Sequence, residues 1–145
     1  MDMRDQLNHW LAQRVHGAAL DEDGISGLLR DDQTLIMLEV PAHSSLCHFS
    51  APAVALPEDD PVAGLLTALE LNRYGRPLGG CWLAWDPDIQ RLMLCFNLLI
   101  PDSDARSFEN ALDNFIAALD LVRSSFNADA AAKSQTEAMA NKALV

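Results

Sequence analysis

Residues 92–99, LMLCFNLL, put Leu92, Leu94, Phe96 and Leu98 on one side of an extended strand and Met93, Cys95, Asn97 and Leu99 on the other. Successive side chains of a strand point to opposite faces, so neither face of this one can meet water at low cost. One side needs the protein's own helices and the other needs a different cover. The strand closes a unit, residues 60–100, that reads as a capped helix, a glycine-rich turn and a β-hairpin. Asp60 is placed as N-cap with Pro61 at the first helical position. Gly75 is placed to close that helix, Gly79-Gly80 turns the chain into residues 81–86, and Asp86-Pro87-Asp88 joins the two apolar runs.

Within the helix of this unit Val62, Leu65, Leu66 and Leu69 form the main apolar face. Gly64, Ala68 and Leu71 lie roughly opposite, a strip of small residues with one large apolar side chain that suits close approach by another element. Trp82 and Trp85, three apart on a short strand, point to opposite faces. A tryptophan on each face, beside a strand apolar on both, favours a buried interface over a monomer with one solvated sheet face, and an isologous dimer is the preferred form.

Upstream, Met3, Leu7, Trp10, Leu11 and Val15 recur at helical spacing, so residues 2–16 read as an amphipathic helix stopped at Gly17. Residues 24–30 are a weak strand candidate and Asp31-Asp32 a turn. Residues 34–40 form a stronger strand ended by Pro41, and residues 46–51 the next. Glu39 marks one face of the former as the one that meets solvent. The set on that side, Leu35, Met37, Leu46 and His48, is too apolar for an ordinary wet surface. Downstream, Asp102-Ser103 caps a long helix whose Phe108, Leu112, Phe115, Leu119, Val122 and Phe126 follow one face. Residues 127–145 are an alanine-rich extension with few large apolar side chains, either a frayed end of that helix or disordered.

The order α-β-β-β-α-β-β-α implies one α+β domain, residues 1–126, with a twisted, mainly antiparallel sheet and its three helices largely on one face. The other face is left short of cover. A length of 145 residues, half of them hydrophobic, supports a single real core. No apolar run approaches the roughly 20 residues of a membrane span, and the start lacks the basic and apolar regions of a signal peptide. A cytoplasmic location is expected. Cys47, Cys81 and Cys95 read as buried thiols and not as a disulfide framework.

The net charge of −11, with Lys and Arg scattered singly, excludes nucleic acid and anionic membrane as partners. GxSxG, HExxH, P-loop and GxGxxG patterns are absent. Strand alternation separates Cys47 from His48, so with His43 they do not make a metal site. The carboxylate pairs Asp59-Asp60 and Asp86-Asp88 are accounted for by a cap and a turn. Nothing asks for an enzyme, a metal or a cofactor.

Leu65-Leu66-x-x-Leu69-x-x-Asn72, then Gly79-Gly80-x-Trp82-Leu83-Ala84-x-Asp86, a leucine-rich strand, a proline and a final helix with Phe108, Phe115 and Arg123 resemble the class I chaperones of bacterial type III secretion, the Tir chaperone family. The resemblance runs from the first helix to about Phe126. Val122 stands where many members carry tryptophan. It implies a virulence-associated homodimer that is not an enzyme, binds the N-terminal segment of a secreted effector in extended form, and keeps it soluble and competent for export. The secretion ATPase is a further partner. On this reading Trp10, Leu35, Met37, Leu46 and His48 hold the effector, while Gly64, Ala68, Leu71, Trp85, Leu94 and Phe96 form the dimer interface. The alternative, motivated by charge alone, is an acidic immunity protein that inhibits a folded toxin domain through salt-sensitive contacts.

Overall fold

The computed structural model describes residues 1–73 and 77–143, with side chains as far as Asn127. The expected closing residue Gly75 lies outside the described residues. Helix α1 (Met3–Arg14) is followed by strands β1 (Ile25–Asp31), β2 (Thr34–Glu39) and β3 (Leu46–Val54), helix α2 (Pro61–Leu71), strands β4 (Trp82–Asp86) and β5 (Arg91–Leu99), a single 3-10 turn (Ile100–Asp102) and helix α3 (Ala105–Ala143). The strands make one antiparallel sheet in the order β1-β2-β3-β5-β4. This is the α+β order expected.

The core lies between one sheet face and the helices. Leu28, Ile36, Leu38, Cys47, Phe49, Leu83 and Leu94 point into it from the strands. Leu7, Trp10 and Leu11 enter from α1, and Phe108, Leu112, Phe115 and Leu119 from α3. Phe49 is the hub: its ring stands edge-on to Phe96 and tilts against Phe108 and Phe115, at centroid distances of 5.6, 6.1 and 5.8 Å. Such aromatic contacts add about 0.5–1.5 kcal/mol each beyond the area they bury.

Two arginines tie chain ends to the sheet. Arg4 of α1 donates to the carbonyls of Val40, Glu22 and Asp23. Gly24, at φ +85, lies under that contact: a β-carbon there would collide with the Val40 carbonyl and the Arg4 guanidinium. Arg123 of α3 donates to the carbonyls of Pro52 and Ala53 and to the Thr34 hydroxyl, and pairs with Asp31 at 3.7 Å. The Gln33 backbone N–H is the main cause holding the Asp31 carboxyl below its ordinary range.

Three local readings are corrected. Strand β3 does not stop at Ala51 but runs on through Pro52 to Val54. Its paired register with β2 ends at Ser50, so proline's missing N–H breaks no bond there. The cap of α3 is Asp104, whose carboxylate accepts from the Ser107 N–H at 2.7 Å, because Pro101 and Asp102 are taken up in the 3-10 turn. The third concerns α2. Its strip Gly64, Ala68 and Leu71 is buried within the chain, while Val62, Leu65, Leu66 and Leu69 face outward. Gly64 sits where a β-carbon would press on Leu56 and Pro57, so the close approach that small residues permit is made by the chain itself.

Candidate functional site

The two ends of the sheet are finished differently. At β4, alternation places the backbone groups of Leu83 and Trp85 on the outer edge, away from β5. Asn72, the residue that follows α2, takes both groups of Leu83: its amide donates to the Leu83 carbonyl at 3.0 Å and its oxygen accepts from the Leu83 N–H at 2.7 Å. A side-chain amide thus stands in for a neighbouring strand. At β1, the Val40 N–H bonds the Gly24 carbonyl at 2.9 Å, which fixes the alternation so that Ile25, Gly27 and Leu29 point their backbone groups outward. Ile25 is satisfied by Asp21, whose N–H donates to its carbonyl and whose carboxylate accepts from its N–H. Gly27 and Leu29 have no such partner among the described residues.

The sheet face beyond this open edge is the one the helices do not cover. Registers align its side chains in rungs. Gly27, Met37, Ser50, Cys95 and Trp82 form one, and Ile25, Glu39, His48 and Asn97 the next. Leu29 is 76% exposed, and Leu35, Leu99 and Trp82 are exposed beside half-buried Met37, Leu46 and Cys95. Polarity is concentrated in the second rung, where His48 Nδ1 lies 2.6 Å from Asn97 Oδ1. Burial pushes the Cys47 thiol, on the inner face, up to about 12 and the Cys81 thiol up to about 11, and raises that of Cys95, so all three stay protonated at neutral pH.

Leu35, Met37, Leu46 and His48 are therefore together on one uncovered face. Trp10 is not with them. It is 5% exposed and packs on Phe108 at 6.2 Å, because the apolar stripe of α1 is used up in covering the inner face. Of the residues expected at a dimer interface, Trp85 is exposed and Phe96 half-buried against Phe49, whereas Gly64, Ala68, Leu71 and the fully buried Leu94 belong to the chain's own core. The surface α2 presents is the opposite one, with Val62 64% and Leu69 66% exposed. Sequence reasoning missed the open backbone at Gly27 and Leu29 and the role of Asn72. An amide at a helix end just before a glycine-rich turn and a short strand is the signal that could have found the latter.

The fold has helices on one face of the sheet and leaves an open edge beside an apolar face on the other. Residues 11–123 match the family model of the Tir chaperone protein (CesT) family, and the chain belongs to that family. Among solved structures it is similar to a chain of the ExsC–ExsE complex, at 22% identity and TM-score 0.71 over 85% of this chain and 95% of that one. It is also similar to a chain of the heterodimeric ExoU–SpcU complex from the type III secretion system of Pseudomonas aeruginosa, at 21% identity and TM-score 0.64 over 82% and 96%. A third likeness is to the structure of the Yersinia pestis type III secretion chaperone SycH with a stable fragment of YscM2, at 16% and 0.64 over 83% and 99%. At these identities the likeness is one of fold. No curated protein sequence matches significantly.

Proposed function

We propose that the chain is a type III secretion chaperone that receives a segment of a cognate effector as an added strand at β1, continued across the uncovered sheet face, and keeps it soluble for export. The observation that carries this is a pair of backbone positions without a partner among the described residues, Gly27 and Leu29, beside that apolar face. An extended segment supplies the missing backbone donors and acceptors at β1, and the length of it that continues over the face sets its side chains against Leu35, Met37, Leu46 and His48. Ordering a segment costs about 2–5 kcal/mol and is offset by burying on the order of 1,000–3,000 Å². An uncovered face of several large apolar side chains is the kind of surface that can supply it.

The chain works without catalysis, in the cytoplasm, as a homodimer. Its second copy covers the outward stripe of α2, Val62, Leu65, Leu66 and Leu69, together with Trp85. Transfer of the effector to the secretion ATPase follows from the same reading. The acidic-inhibitor alternative has only the net charge behind it. Co-expression with the secreted protein of the neighbouring gene, followed by limited proteolysis, tests the proposal. A protected effector segment that is lost when β1 is blocked is the expected result, and a complex with no protected segment overturns it.

A further inference from the structure

The rung Glu39–His48–Asn97 is out of character with the face it crosses. On one side of it lie Met37, Ser50, Cys95 and Trp82, and on the other Leu46 and Leu99. A strip of polar groups in the middle of an apolar docking surface costs desolvation when covered, unless the cover brings partners for them. The groups of this rung define what those partners must be. In the contact between them, Asn97 Oδ1 accepts from His48 Nδ1, which leaves the ring's Nε2 and the Asn97 amide N–H groups for other partners. Glu39, directly opposite His48 in the register, is exposed and adds a carboxylate that forms no ion pair among the described residues. The rung therefore holds one carboxylate unpaired among the described residues, and none of its residues is a Lys or Arg that could pair with it.

We propose that Glu39, His48 and Asn97 form the seat of a single Lys or Arg side chain of the bound segment, which fixes the register of an otherwise apolar cargo on the sheet. This rests on the reading of the face as a cargo surface. Apolar contacts alone discriminate poorly between registers, because a chain slid by two residues presents a similar alternation. One charged, hydrogen-bonded contact removes that degeneracy, since every other register buries the carboxylate without a partner. Glu39 is thus a specificity residue, and Asn97 a positioning residue that acts by holding the imidazole.

A random 16-residue peptide library displayed on phage and selected on the intact protein provides the probe. Binders are expected to combine alternating or clustered apolar residues with one Lys or Arg, and Leu35→Asp should abolish their capture. For a selected synthetic peptide, Lys→Gln should weaken binding about fivefold to the native protein, the scale of a partly exposed ion pair, and leave binding to Glu39→Gln unchanged. Glu39→Lys should prefer the same peptide carrying Glu. Asp88→Asn, which removes one negative charge from the β4–β5 turn, should leave the preference intact and so separates the seat from general attraction to an acidic protein. Apolar binders with no basic preference, or a preference equally lost in Asp88→Asn, overturn the seat while leaving the cargo face standing. The absence of any binder sensitive to Leu35→Asp overturns both.

Discussion

The two ends of the sheet face the same physical problem, an edge of unpaired backbone groups that invites another strand, and they resolve it by different means and to different extents. At β4 the strand is five residues long, and Asn72 of the helix connection occupies both edge groups of Leu83, while those of Trp85 have no partner among the described residues. At β1 the loop residue Asp21 satisfies only Ile25, and Gly27 and Leu29 remain open next to the face the helices leave bare. The β4 end is anchored to α2 through Asn72, with the leucines of that helix facing outward, and under the proposed function the β1 end, with Gly27 and Leu29 both open, receives the incoming chain.

The largest effects are expected at the β4 end. Leu71→Asp places a carboxylate among core residues and should destabilise by about 4 kcal/mol or leave the protein insoluble. Leu69→Asp, two residues away on the outward stripe, should change monomer stability by less than about 0.5 kcal/mol and shift the oligomeric state toward monomer. Urea denaturation with light scattering separates the two. Equal behaviour of these variants would mean that the inward and outward faces of α2 are misassigned. Asn72→Leu comes next: it leaves the Leu83 N–H and carbonyl without their partner, for an expected loss of about 2 kcal/mol in urea and a greater tendency to associate through β4.

Much of the architecture is legible in the sequence because its signals are local and periodic. The stripe Phe108, Leu112, Phe115, Leu119 fixes α3, Asp60-Pro61 starts α2, and the alternation in β2 and β3 separates Ile36, Leu38 and Phe49 from Leu35, Met37 and His48. What is not legible is the choice between two apolar faces of one helix. In α2 both sides are hydrophobic, and only the three-dimensional positions of Leu56, Pro57 and Phe126 around Gly64 decide that the small residues go inward. Trp10 is hidden for a similar reason, since an amphipathic stripe does not say whether it covers the protein's core or a partner's. The edge state of β1 depends on strand order, which is a non-local property: residues 24–30 carry no mark that β2 will be their sole neighbour.

The middle of the sheet provides a reference for both ends. Cys47 in β3 is fully buried, and burial raises its thiol from 9.0 to about 12. The unfolded chain therefore releases this proton first as pH rises, so the stability is complete below about pH 9 and falls between there and about 12. At pH 10 the expected loss from Cys47 is about 1.4 kcal/mol. Cys47→Ala should reduce that slope, leaving the part contributed by the raised Cys81 and Cys95 thiols, and keep the contrast between the edges unchanged. A slope that is the same in Cys47→Ala would place the alkaline sensitivity elsewhere.

The smallest change to folding, and the most informative for the comparison, is expected from Leu29→Pro. The Leu29 N–H points out of the sheet and makes no bond within the described chain, and its side chain is already exposed. Proline is tolerated at an edge position of this kind, so the stability should fall by no more than about 1 kcal/mol. For an incoming strand the same substitution removes a donor and sets a pyrrolidine ring in its path. Binding of an effector segment should therefore drop at least tenfold, the scale of one lost backbone hydrogen bond with its desolvated partner. Near-native urea stability with lost capture of the co-expressed effector would establish β1 as the working edge. Intact capture would move the cargo off this edge and onto the sheet face alone, where Leu35→Asp becomes the deciding variant.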